Sequence, residues 1–331
     1  MKKFLSIALA LLMVCVMLPV VALAAEKTAS TYEELKSAIS TANDGDTIKL
    51  LADIDLSQTI TVNKTITLNM NGKKLYNTSD LWDKPTAEDD NWSLISVRGS
   101  GNLTITGNGT FAAKENDCYA VDVQESATVT IKNGTFIGNI HAVYVFAGTA
   151  NVEGGTYSVQ QKYPDSAKGD EFVLNCYDAN RANGTAHINV TGGTFKNFNP
   201  ADNKAEGEGN NFADNSLVVQ KNNTVQNNDY YVGNAANEVI AAASKGEEIF
   251  VLNGTTLTNV PAGVIIQNRT GDRITVNGKD VELTGDAGYT VPASNITIIV
   301  PGDTTPAETP KTEDQKNPST GANDFVGLAA A

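Results

Sequence analysis

The sequence predicts an all-β solenoid, a parallel β-helix of stacked three-strand coils, and three observations carry that prediction. First, one turn recurs as Asn108-Gly109-Thr110-Phe111, Asn133-Gly134-Thr135-Phe136, Gly154-Gly155-Thr156-Tyr157 and Gly192-Gly193-Thr194-Phe195. Its aromatic positions stand 25, 21 and 38 residues apart, the last gap holding an insertion at about 158–171. Second, two alternating segments precede each turn. The first set is Leu94–Val97, Ala120–Val123, Ala142–Val145 and Val173–Cys176, and the second set ends at Ile105, Ile131, Val152 and Val190. Period-2 alternation bounded by Gly turns is a strand pattern. Third, the 331 residues include 28 Gly but only 19% charged side chains, a composition suited to many tight corners.

A period of 20–25 residues with several strands per repeat closes one coil. Coils stack about 4.8 Å apart, so equivalent residues form ladders. Phe111, Phe136, Tyr157 and Phe195 are then one internal stack, each ring contributing on the order of 1.5–3 kcal/mol by burial. The Asn-Gly and Gly-Gly pairs supply corners with positive φ. Asn-Gly is also a strong hairpin signal, so antiparallel pairing competes. Hairpins, however, do not require the same aromatic after every turn at coil-length spacing.

Taken in order, residues 1–25 read as a secretory signal peptide: Lys2 and Lys3, an apolar run, Pro19, then Ala22-Leu23-Ala24. Thr31 to about Thr41 is an amphipathic helix with Leu35, Ala38 and Ile39 on one face, a Thr31/Glu34 capping box and Gly45 as its stop. This helix is expected to cap the open end of a solenoid spanning 26–232. Residues 47–76 are the opening coils, and residues 233–300 are closing coils or a small second β unit. Roughly nine coils are expected, a rod of about 40 Å. Residues 301–316 are Pro/Thr-rich and acidic, an extended linker.

The repeat pattern over about 31–298 resembles the pectin-lyase-like right-handed parallel β-helix family as found in bacterial surface proteins. That resemblance implies the fold; the fold itself hosts lyases, hydrolases and adhesins. Asn317-Pro318-Ser319-Thr320-Gly321, followed by apolar 325–331, resembles the sorting signal of Gram-positive wall-anchored proteins. The resemblance implies cleavage by a sortase between Thr320 and Gly321 and attachment to peptidoglycan. Such signals continue into a membrane span of about 20 apolar residues, so the segment 317–331 reads as cut short.

Net charge is −14, which disfavours nucleic acid and anionic lipid as partners. There is no CxxC, HExxH or phosphate loop, and His141 and His187 have no metal-ligand spacing. Cys118 and Cys176 fall two coils apart, too far for a disulfide. In the first strand of each coil, Ser96, Asp122, Tyr144 and Asn175 are expected to point outward, followed by Arg98, Gln124, Phe146 and Tyr177. Tyr144, Phe146 and Tyr177 are candidates for stacking on sugar rings, with Trp82 and Trp92 of the insert 77–92. Enzymes of the resembled family set several carboxylates on this face; here the column offers Asp122 alone, the one candidate catalytic residue. Two acidic inserts, 77–92 with Asp89 and Asp90 and 199–214 with Glu206 and Glu208, are the places where calcium would bind; no other cofactor is expected.

The resulting expectation is an exported, wall-anchored surface protein of a Gram-positive bacterium whose solenoid binds a glycan or host surface component. A calcium-dependent polysaccharide lyase or hydrolase, and a structural surface element, remain as alternatives.

Overall fold

The computed structural model describes residues 24–81, 93–115, 118–161, 172–201, 210–212, 216–224, 227–234, 240, 243–252, 256–282 and 288–293. The leader, the linker and the sorting-like segment with Thr320 and Gly321 lie outside the described residues.

Strand β1 (Glu26–Ala29) leads into helix α1 (Tyr32–Ser40). Thr31 is the N-cap: its hydroxyl accepts from the Glu34 N–H at 3.2 Å, and the Glu34 carboxylate accepts from the Ser30 N–H at 2.7 Å. Glu33 and Glu34 place negative charge in the first turn, where the helix dipole favours it. Leu35, Ala38 and Ile39 are buried and join the main core. The helix stops at Ser40 with Thr41 bonded back to the Ser37 carbonyl, and Gly45, at φ +92°, turns the chain into β2 (Thr47–Leu50) and β3 (Ile54–Asp55).

Five successive three-strand rungs follow. They are β4 (Ile60–Val62), β5 (Thr65–Asn69) and β6 (Lys74–Tyr76); β7 (Ser93–Val97), β8 (Asn102–Thr106) and β9 (Thr110–Ala112); β10 (Tyr119–Val123), β11 (Thr128–Ile131) and β12 (Thr135–Gly138); β13 (Val143–Val145), β14 (Gly148–Val152) and β15 (Thr156–Val159); and β16 (Leu174–Cys176), β17 (Ala186–Val190) and β18 (Gly193–Lys196). Short helix α2 (Asp178–Ala182) joins β16 to β17. The first strands of the rungs form one sheet, here sheet C; the second strands lie in sheet A and the third in sheet B. Within these rungs every strand pairs in parallel with its counterpart three strands along. Sheet A extends to eight strands by adding β1, β2 and β19 (Asn210–Phe212). The protein is therefore dominated by long parallel sheets of sequentially stacked strands, as the repeat predicts.

Parallel register brings equal positions together. On sheet C, Ile60, Ile95, Val121, Val143 and Leu174 form one inward ladder, and Val62, Val97, Val123, Val145 and Cys176 another. On sheet B, Phe111, Phe136, Tyr157 and Phe195 are fully buried, with centroids 4.8, 5.2 and 5.1 Å apart and planes within 15°. Tyr157 fits this apolar column because its hydroxyl donates to the Gly154 carbonyl at 2.5 Å. The corners before these strands need glycine. Gly155 has φ +101°, and a Cβ on Gly154 would stand 2.4 Å from the Lys132 carbonyl of the rung below.

On sheet B the parallel stacking of the rungs ends at β18, so among the described residues there are five complete rungs in place of the roughly nine coils expected. β20 (Ser216–Thr224) and β21 (Asn227–Asn234) form an antiparallel hairpin, β21 pairing antiparallel with β18 and β20 with β22 (Glu248–Val251). Beyond it β22 and β24 (Ile265–Asn268) are parallel, and β27 (Tyr289–Thr290) is antiparallel to β24. A small sheet of β23 (Thr256–Leu257), β25 (Ile274–Val276) and β26 (Lys279–Val281) lies in the same region. In β20 and β22 the two strand faces serve two cores. Val218 and Phe250 belong to the core of the rungs, while Val219, Ile249 and Val251 belong to a second core with Val264, Ile266, Ile274 and Val276.

Candidate binding surface

The outer face of sheet C and its edge carry the described candidates Asp122, Tyr144, Phe146 and Tyr177. Register places Ser96, Asp122, Tyr144 and Asn175 in one column across β7, β10, β13 and β16. That much follows the expected alternation. The exposure does not. Ser96 is fully buried, and Asp122 and Asn175 are 2% and 8% exposed.

Asp122 is held by its neighbours. Ser96 Oγ donates to Asp122 Oδ2 at 2.8 Å, and Gln124 Nε2 donates to both carboxylate oxygens at 2.9 and 3.1 Å. Arg98 Nε donates in turn to Ser96 Oγ at 2.8 Å. A buried carboxylate must be compensated by donors, and this chain of bonds provides them.

One rung on, Tyr144 is half-buried in an aromatic cluster that single-sequence reasoning did not assemble. Its ring lies 4.9 Å from Tyr119 and 5.4 Å from His141, the latter stacked within 12°. His141 is buried, with Nδ1–H donating to the Phe172 carbonyl at 2.8 Å and Nε2 accepting from Asn175 Nδ2 at 3.0 Å. Burial pushes its pKa down to about 4, against the opposing pull of the Phe172 and Ile140 carbonyls. The signal for this cluster was the recurrence of a ring at the start of β10 and just before β13. It is faint, because Tyr119 and His141 sit at positions where surface residues also occur.

Phe146 and Tyr177, just past the ends of β13 and β16, are exposed at the edge of this face. They are 39% and 43% exposed, and their rings stack at 4.8 Å with planes 25° apart. Asn180 of α2 donates to the Phe146 carbonyl at 2.7 Å and ties the helix to this corner. Of the three aromatics expected to form one patch, two do so, and Tyr144 belongs to the neighbouring cluster.

The remaining candidates divide cleanly. Trp82, Trp92, Asp89, Asp90, Glu206 and Glu208 lie outside the described residues. Among the described residues no group of three or more His, Cys, Asp or Glu side chains is placed to hold a metal ion. His187 is half-buried, its Nε2–H donating to the Gly184 carbonyl at 2.9 Å. Cys118 and Cys176 are buried and not joined to one another; Cys176 stands in register with Val123, five residues along the strand from Cys118. Burial raises the Cys118 thiol to about 12, which keeps it protonated and unreactive.

No family model, no curated protein and no solved structure matches this chain. Its function is therefore read from its own surface chemistry.

Proposed function

We propose that the rungs wind as a right-handed parallel β-helix of the pectin-lyase-like kind, capped by α1, that serves as a glycan-binding surface protein of a Gram-positive cell. Export by residues 1–25 and wall attachment through Thr320 and Gly321 belong to the same proposal. The observation that carries it is the exposed Phe146–Tyr177 stack. Two large apolar rings held side by side in water are costly to leave uncovered, and a flat sugar face covers them. The burial of Asp122 among Ser96, Arg98 and Gln124 supports assigning it to the integrity of sheet C rather than to turnover.

The test is retention on immobilised polysaccharides. Phe146→Ala and Tyr177→Ala should each weaken retention about tenfold, equivalent to about 1.4 kcal/mol, with unchanged circular dichroism. Unchanged retention in the double variant would remove the patch from the binding surface. Release of new reducing ends from polygalacturonate, with or without calcium, would instead favour the lyase or hydrolase reading.

A further inference from the structure

A furrow of about 490 Å³ runs along the corner between sheets A and B, away from the sheet C surface. Rung stacking alone demands the glycines of its floor, so the furrow itself comes with the fold. Three properties do not. Thr135, Thr156 and Thr194 stand in register along it, one rung apart, with Tyr231 of β21 next in the same column. The three threonines are half-buried, and among the described residues their hydroxyls bond to no protein group. No lining residue carries a charge, although the chain as a whole is at −14.

Tyr231 is 40% exposed at the end of the furrow. The next residue of its column, Val219, is already buried in the second core. The furrow thus ends against a ring. A peptide strand is a poor occupant, because strand addition needs unpaired backbone. Here the Gly109, Gly134 and Gly155 carbonyls already accept from the Thr135, Thr156 and Thr194 N–H groups at 2.8 Å. A charged polymer would lose hydration with no counter-charge to replace it. A ligand that fits is neutral and extended, and offers hydroxyls at intervals comparable to one rung, about 4.8 Å.

We propose that this furrow is a binding site for an uncharged, extended polysaccharide chain lying along the rungs. Its hydroxyls bond to the threonine ladder and one ring packs on Tyr231. The site is independent of the Phe146–Tyr177 patch.

The experiment titrates the full chain with cellohexaose, chitohexaose, xylohexaose and mannohexaose, using hexagalacturonate as the charged control. At least one neutral hexasaccharide should bind. Its affinity should fall tenfold or more in Tyr231→Ala and in the triple variant Thr135→Val, Thr156→Val, Thr194→Val. The corresponding triple Ser variant, which keeps the hydroxyls, should retain binding, while the Phe146→Ala/Tyr177→Ala double variant reports separately on the sheet C patch. Absence of binding to every neutral probe, equal affinity in the Val variant, or preference for hexagalacturonate would each overturn the assignment. Binding lost only in the Phe146/Tyr177 variant would sink the furrow and leave the sheet C reading standing.

Discussion

His141 is held neutral by its surroundings. One ring nitrogen donates to Phe172 and the other accepts from Asn175, and burial lowers its pKa to about 4. An unfolded His titrates near 6.5, so between about pH 6.5 and pH 4 the unfolded chain binds a proton that the folded one refuses. The contribution of this residue is complete above the unfolded value and is lost as pH falls toward 4. Its size is on the order of 2–3 kcal/mol. Urea midpoints of the wild type and His141→Gln, compared near pH 7 and near pH 4.5, should show the wild type losing about that much more on acidification. Equal losses would mean that His141 is not the group responsible. At this same scale lies the main departure from sequence reasoning. Alternation along β10 fixes which way Asp122 points, but its burial depends on neighbours from other rungs, which alternation does not encode.

The aromatic ladder of sheet B is the element most visible in the sequence, because a turn with glycine at its second position precedes an inward ring in four rungs. Its energetics should depend on position. Phe136 has a ring on both sides, Phe111 and Tyr157, whereas Phe111 has Phe136 on one side and Leu75 on the other. Both Phe→Ala substitutions open a cavity costing about 3–5 kcal/mol. Phe136→Ala should cost roughly 0.5–1.5 kcal/mol more, the worth of its additional ring contact. Equilibrium denaturation of the two variants tests this, and equal costs would contradict the ladder as an energetic unit. The hairpin of β20 and β21 was not legible. Alternating residues look alike in parallel and antiparallel strands, and the consensus turn is absent there.

Across the whole molecule, the connections between sheets divide by length. Those from sheet A to sheet B in the last four rungs hold two or three residues, locked by the bond from the Thr N–H to a carbonyl of the adjoining rung, Lys73 for Thr110 and a glycine for Thr135, Thr156 and Thr194. Those from sheet B to sheet C range from four residues, 139–142, to the sixteen of 77–92. Loop closure costs only about 0.6 kcal/mol per doubling of length. Six Gly/Ser residues inserted after Asp165 should therefore change stability by less than about 1 kcal/mol. The same insertion between Asn133 and Gly134 should unfold or severely destabilise the protein, because it removes a rung bond and shifts the ladder register. Thermal melts of both variants would decide; equal effects would refute the division. The sequence revealed this plan through its repeat spacing, with the 38-residue gap already marking where the chain takes up extra length.

A stack of parallel rungs carries an inherent hazard, since the last strand of such a sheet presents the row of backbone groups by which fibrils recruit their next layer. On sheet B the chain blocks that row with itself. β21 runs against β18, and β20 and β22 extend the sheet with their outer faces folded into a second core. A second copy approaching β18 to continue the stack would find the position filled by a strand of the opposite direction. The hairpin is thus a terminator for fibre growth at that edge, written into the same chain that supplies the repeat.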